Sequence, residues 1–370
     1  MNLSHLYVDF SIIEKNINSI SKRLNSVEDI ILVIKADGYG IGAIEFAKQA
    51  KKMGIKSFAV ARLEEAIELR NSGIDEEIIV LANILNDSFH TIGEYNLVTA
   101  ITDVQTLNNF IQFYENTTKH ASIHLNVNTG MNRLGIAISD LESCLTRLKS
   151  AKNIHLKGIY THFASADDTN SSLTNQQGKL FQDIYSSYKP YYMDVVFHAS
   201  NSSGLMGFPE YAFDKVRIGV AALGYSASQK YAKHWNVAPS LKLTSKIIQI
   251  QTIHKGAGIG YNHTFFSNTE MKVATVGIGY ADGVQRCLSN KGFVLAKGIK
   301  CPIVGNVSMD LISIDISNVE INVGEEVTIF GESESNNISL EEIAEQINSV
   351  PYEIITQINP RVKRVYLNRR

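Results

Sequence analysis

From residue 6 to about residue 217, short β-branched runs alternate with amphipathic stretches that end in Gly or Asn. The runs at 30–35, 57–60, 78–81, 97–100, 122–127, 155–160, 194–198 and 215–217 predict eight strands. Helical spacing falls between them, as at 43–53, 63–72, 106–114, 139–150 and 175–188. Alternating strands and helices need right-handed crossovers and a parallel sheet, and eight such units close most naturally into a (β/α)8 barrel of the TIM type. After Val237 the texture changes. Runs at 241–251, 272–277, 294–295, 311–316 and 326–330, separated by Gly, Asn and Pro, predict a C-terminal, mainly antiparallel β domain with one helix at 340–348. The expected division is a barrel over 1–237 and a β domain over 238–370, joined through 231–239.

Composition removes several function classes. A chain of 370 residues with a net charge of −2 has no surplus of cations to hold nucleic acid, and the basic clusters at 48–52 and 369–370 read as solvated faces. Cys144, Cys287 and Cys301 lack the spacing of a metal site or a disulfide framework. No apolar run approaches the about 20 residues needed to cross a bilayer, and the N-terminus carries no leader pattern. A cytoplasmic protein, with no membrane or metal partner, is expected.

In a barrel of this kind the site lies at the carboxyl ends of the strands, so what the chain places there is informative. The first run ends at Lys35, followed by Tyr39 in a glycine-punctuated turn. An ammonium at the mouth of a buried strand is costly unless it is paired or works uncharged. A Schiff-base lysine and a lysine that snorkels to solvent are both open readings. Later runs lead into Asn126, Asn128 and Arg133, then His162 and Asp167, then Asn201 and Ser202, then Arg217, Gly219 and Val220. Polar groups thus gather on one rim. The Ser202 hydroxyl and the backbone N–H groups of Gly219 and Val220 suit a phosphate. A strand-end amine opposite a phosphate cradle is what pyridoxal 5'-phosphate requires. Arg217, on the phosphate side, could face the cofactor ring, where a fixed positive charge keeps the pyridine nitrogen unprotonated.

With these residues in view the chain resembles the alanine racemase family of barrel-type pyridoxal phosphate enzymes. The resemblance runs through Lys35-Ala-Asp-Gly-Tyr39-Gly, Asn128-Thr-Gly-Met-Asn-Arg133-Leu-Gly, Tyr160-Thr-His-Phe-Ala, Asn201-Ser202, Val216-Arg217-Ile-Gly219, Gly260-Tyr261, Gly279-Tyr-Ala-Asp-Gly-Val-Gln-Arg286, Ser308-Met309-Asp310 and Tyr352-Glu. It implies amino acid racemisation, most simply of alanine, supplying D-alanine for peptidoglycan. It also implies two proton-transfer bases, Lys35, which also links covalently to the cofactor, and Tyr261. In the family the residues matching Tyr261 and Met309 come from the partner subunit, which implies a head-to-tail homodimer. Phosphate contacts carry over to Tyr39, Ser202, Gly219, Val220 and Tyr352, with Asn201 beside them. Arg217 matches the arginine on the ring nitrogen, His162 the histidine that positions it, and Arg133 the arginine near the substrate carboxylate. Two bases make physical sense, because a proton must leave one face of the α-carbon and return to the other. A phenol, ordinarily titrating near pH 10, needs its anion stabilised; His162 and Arg286 are candidates.

The chain departs from the family in the arginine loop. Many relatives carry a carbamylated lysine at the position of Asn126 and an acid at that of Asn128; amides cannot supply those charges. A chloride or other small anion between Asn126 and Arg133 is the expected substitute. Ser308, where a cysteine more often stands, and Gly38 bear on substrate preference. A racemase of serine or of broad specificity is the nearest alternative. A non-catalytic cofactor carrier fits poorly, since carriers lack the β domain. A barrel-type decarboxylase fits poorly too, since it sets a carboxylate where Arg217 stands.

Overall fold

The computed structural model describes residues 2–168, 170–226 and 235–370. The predicted linker at 231–239 therefore lies partly outside the described residues. In chain order the first ten strands are β1 (His5–Asp9), β2 (Ile30–Val33), β3 (Ser57–Val60), β4 (Glu77–Val80), β5 (Val98–Ile101), β6 (Ala121–Asn128), β7 (Ile136–Ala137), β8 (Ile154–Tyr160), β9 (Val196–His198) and β10 (Val216–Ile218). Eight of them form one parallel sheet in the order β10-β2-β3-β4-β5-β6-β8-β9. The expected barrel is present. Its ladder is open only between β9 and β10, where the N–H groups of Asp214 and Arg217 reach the carbonyls of Phe197 and Ser200 at 3.0 and 2.9 Å.

The strands form where the sequence is apolar on both faces, as parallel strands covered on two sides require. All four residues of β2 are buried. Ile31 and Val33 pack with Ala59, Ile79 and Val98 in a cluster of their own, while Ile30, Leu32 and Phe58 join the large core shared with the helices. Helix Val104–Glu115 shows the pairing of signals: Asp103 caps it by accepting from the Thr106 N–H, and Leu107, Phe110, Ile111 and Tyr114 bury one stripe. The predicted first strand ran on to Lys35. It stops at Val33, because the chain turns sharply at the lysine.

The second sheet contains β11 (Leu241–Ile253), β14 (Met271–Val276), β15 (Phe293–Ala296), β16 (Ile299–Pro302), β17 (Ile312–Asp315), β18 (Glu326–Ser333), β19 (Asn336–Ile338) and β20 (Lys363–Leu367), with β12 (Gly258–Ile259) and β13 (Phe265–Phe266) forming a small ribbon beside it. Its spine is β11, whose first half pairs with β18 and whose second half pairs with β14 after a register shift between Ile247 and Gln249. The pairing is antiparallel except at one place. β1 leaves the barrel, lies antiparallel to β11 and runs parallel to β20. Among the described residues no helix is long and apolar enough to cross a membrane.

Leu6, on β1, has no exposed surface. Replacing it with alanine removes apolar packing from the seam between the chain's first strand and its second sheet, at a cost of about 2–5 kcal/mol. A denaturant midpoint unchanged in Leu6→Ala would show that β1 contributes little.

Candidate active site

The polar rim is built around one turn. Lys35 opens a short helical element, Lys35–Tyr39, in which Ala36, Asp37, Gly38 and Tyr39 have φ of 52, 53, 63 and 58°. Of these four successive left-handed residues, the three that bear a Cβ are strained by roughly 1–2 kcal/mol each. The strain is held in place by tertiary contacts. The Asp37 carboxylate accepts from the Ala43 N–H at 2.8 Å, the Arg364 guanidinium donates to the Gly40 carbonyl, and the Tyr366 hydroxyl donates to the Ile41 carbonyl. Gly40 is required as glycine, since a Cβ there would lie 2.7 Å from the Ile355 carbonyl oxygen.

Lys35 and Tyr39 both line a cavity of about 640 Å³ at the carboxyl ends of the barrel strands. The lysine counts as exposed by area because it opens into this cavity. Burial among its neighbours nevertheless lowers its pKa, the Arg133 guanidinium lowers it further, and Glu65 acts in the opposite direction. The charged form of the amine is thereby less favoured than that of a lysine in water.

Across the cavity the chain forms a cradle of uncharged donors. Asn201 caps helix Ser202–Gly207 by accepting from the Gly204 N–H at 2.8 Å, and Ser202 Oγ accepts from the Gly219 N–H at 3.2 Å. The Tyr39 hydroxyl rests where a Cβ of residue 219 would be, 2.3 Å from that position. Glycine at 219 thus lets the phenol reach the cradle. Val220 and the half-exposed Tyr352 complete the lining.

Beneath the cavity lies Arg217, 3% exposed. It donates to the carbonyls of Thr161, Ala199 and His198 at 2.8, 2.7 and 3.2 Å, to His198 Nδ1 at 2.6 Å and to His162 Nδ1 at 3.1 Å. Burial lowers its pKa to about 10, so it remains a cation at neutral pH. Burial, and then the Arg217 charge, drops His162 to about 3 and holds His198 well below the ordinary histidine range. These bonds order the protons. A guanidinium can only donate, so Nδ1 of His198 accepts and its proton sits on Nε2. That N–H donates to His124 Nδ1 at 3.0 Å, which puts the proton of His124 on its own Nε2. Among the described residues, this last nitrogen has no partner. The Tyr160 ring stacks on His198 at 4.9 Å and sits 5.3 Å from the guanidinium, closing the group.

Arg133 and Asn126 also line the cavity. Among the described residues no ion pair is made by Arg133, and the Tyr160 hydroxyl donates to the Leu81 carbonyl at 3.3 Å. Asn128 turns inward on its own loop, accepting from the N–H groups of Gly130 and Asn132. Tyr261 and Met309 are placed elsewhere. They are 73% and 54% exposed on neighbouring loops of the second sheet and do not line the cavity. Asn306 holds the first loop by donating to the Tyr261 carbonyl at 2.8 Å. The sequence reading did not assign His198, His124, Gln177 or Glu65. Gln177 is wholly buried and ties the His162 carbonyl to the Ala164 N–H. Its only signal was an amide on the buried stripe of helix Ser172–Tyr188.

Residues 8–227 match the family profile described as alanine racemase, N-terminal domain, and residues 240–366 match that of the C-terminal domain. The chain belongs to the alanine racemase family. An alanine racemase of Halothermothrix orenii is 35% identical over 98% of this chain and 96% of its own. The alanine racemase of Bacillus anthracis, solved with bound L-Ala-P, superposes with a TM-score of 0.92 at 33% identity, covering 100% of this chain and 96% of that one. The enzyme of Bartonella henselae, solved with covalently bound pyridoxal phosphate, gives a TM-score of 0.89 at 26% identity over 99% of this chain and 100% of that one.

The neutral histidines make stability depend on pH. His124, pulled down to about 4 by burial, and His162, at about 3, both titrate below the 6.5 of an unfolded histidine, and His198 follows. Below pH 6.5 the unfolded chain therefore binds more protons, so stability is full above 6.5 and falls as the pH drops toward the folded values. Each histidine contributes a slope of up to about 1.4 kcal/mol per pH unit. Denaturant midpoints of cofactor-free protein should fall between pH 7 and 5.5; a flat profile contradicts the assignment.

Proposed function

We propose that this protein is a cytoplasmic alanine racemase that interconverts L- and D-alanine with pyridoxal 5'-phosphate and supplies D-alanine for peptidoglycan. One observation carries the reading: a single cavity joins a pKa-lowered lysine, a cradle of uncharged donors and a buried arginine cation. The residues fit the cofactor. Tyr39, Ser202, Gly219, Val220 and Tyr352, with Asn201 capping the helix behind them, would hold its phosphate. Lys35 would meet its aldehyde, and Arg217 would face its ring nitrogen. When bound, the cofactor supplies an electron sink that acidifies the α-carbon of the attached amino acid.

The chain's own groups then manage the proton. Lys35 Nζ removes or returns it on one face, and Tyr261 Oη does so on the other. Arg217 stays charged, with both terminal nitrogens taken by acceptors, so a second positive charge on a ring nitrogen beside it is disfavoured; the sink stays weak and side reactions are disfavoured. Arg133 receives the substrate carboxylate. The exposure of Tyr261 and Met309, away from the cavity of their own chain, favours a head-to-tail homodimer in which each copy completes the other's site. In this division residues 1–237 supply most of the cofactor contacts, and 238–370 add Tyr352 and deliver the second base. A chloride or similar anion between Asn126 and Arg133 replaces the charge that Asn126 lacks, and a halide dependence of the rate tests it.

Purified protein given the cofactor should form D-alanine from L-alanine faster than from L-serine to its enantiomer. No D-alanine would overturn the reading, and faster turnover of serine would redirect it. Lys35→Ala should lose the visible absorbance of the loaded protein and at least about 10³-fold in rate. Tyr261→Phe should slow α-proton exchange from the L-enantiomer far more than from the D-enantiomer, and equal losses would reverse the assignment of faces. Dilution below the dimer's dissociation constant should lower the specific activity.

A further inference from the structure

The left-handed turn carries a lysine and a tyrosine into the cavity, yet the contacts described so far hold only its far end. Asp37, Arg364 and Tyr366 act at residues 40–43. At the lysine end one side chain does the holding. Glu65 Oε1 accepts from the Ala36 N–H at 2.5 Å, while its Oε2 accepts from the N–H groups of Ala61 and Arg62, both at 2.9 Å. Ala61 and Arg62 follow directly on β3, and Glu65 lies in the first turn of helix Leu63–Asn71. One carboxylate therefore joins the rim after β2 to the rim after β3, immediately beyond Lys35.

We propose that Glu65 is a positioning residue for the lysine base: its carboxylate staples the left-handed turn to the end of β3 and sets the charge felt by the amine. The proposal rests on the racemase reading above and adds a residue to its machinery. A turn of high intrinsic strain occupies its working conformation only while its neighbours over-determine it. Without the staple the Ala36 N–H loses its partner, and Lys35 and Tyr39 share the rest of their orientations with unproductive ones. Affinity then falls in proportion to the fraction of turns still in place.

The charge has a separate effect. The titratable and charged groups acting on Lys35 are Arg133 from the loop after β6, His162 from the segment after β8 and Glu65 from the helix after β3. Tyr39 lies on its own turn and Arg217 below it. Arg133 lowers the basicity of the lysine and His162 is neutral, so Glu65 is the group that opposes burial. The same carboxylate fixes where the amine stands and limits how easily it gives up its proton.

The test is pyridoxal phosphate uptake by the full-length protein as a function of pH, because only an unprotonated amine condenses with an aldehyde and releases water. Variants Glu65→Gln, Glu65→Asp and Glu64→Gln are compared with the parent; Glu64 is an exposed neighbour in the same helical turn and lacks the staple. In Glu65→Gln the midpoint of the uptake rate should move to lower pH, and retention of the cofactor should weaken on the order of tenfold, the scale of a lost cap. Glu65→Asp, with the charge retained on a shorter arm, should weaken retention while the midpoint stays close to that of the parent. Glu64→Gln should change neither. A parent protein that takes up no cofactor would sink the racemase reading itself. A parent that loads normally, with folded Glu65 variants matching Glu64→Gln in midpoint and retention, would overturn the role of Glu65 alone. Should Glu65→Gln fail to fold, Glu65→Asp decides by its retention.

Discussion

A buried arginine whose two terminal nitrogens are both filled with acceptors is the constraint around which this barrel is arranged. Arg217 cannot be deprotonated cheaply and cannot accept a hydrogen bond, so each group around it must present a lone pair. Three strand-end carbonyls and two imidazole nitrogens do so. This requirement reaches beyond first contacts. It sets which nitrogen of His198 carries the proton, and through His198 it sets His124, deep in the barrel, where Gly158 leaves room for the ring. A buried cation unpaired by any carboxylate is costly, and here its compensation comes from dipoles, with a tyrosine face alongside. Dipoles leave the net charge at this point of the barrel positive, which an ion pair would have cancelled.

The lysine turn is the complementary case. There the chain stores strain in backbone angles, and the second sheet restrains it from outside. Arg364 and Tyr366, both on β20, hold the carbonyls of Gly40 and Ile41, while the helix bearing Tyr352 presses the Ile355 carbonyl against Gly40. The barrel rim is therefore shaped partly by residues more than three hundred positions later in the chain. This explains why the lysine and the donor cradle sit at the rim of one sheet while the precision of their placement depends on two.

Much of this was legible in the sequence. Eight apolar runs marked the barrel strands to within two residues, because strands covered on both faces leave an unbroken hydrophobic signature. The rim residues from Lys35 to Val220 were legible too, because polar groups at the ends of such runs have few structural reasons to be there. Three things were hidden. The handedness of the turn at Ala36 and Asp37 leaves no trace in residue type, since it is imposed by contacts distant in sequence. Glu65 sits at the N3 position of its helix, where spacing accounts for the capping contact of its Oε2 with the Arg62 N–H, while the reach of its Oε1 to the Ala36 N–H could not be inferred from spacing. The destination of β1 was equally silent, because an alternating strand of five residues says which face is buried and nothing about its neighbour.

That strand carries a consequence for how the molecule comes into being. His5 of β1 is paired with Thr244 of β11, so during vectorial synthesis the 238 residues between them must emerge first. At about 5–20 residues per second a ribosome needs roughly 12–50 s to deliver the second partner. Through that interval the barrel segments can close on one another while the opening strand, with its Leu6 and Val8, waits without a mate. Nascent copies of this protein therefore expose a short apolar edge, which is sealed only when β11 and then β20 pair with it on either side.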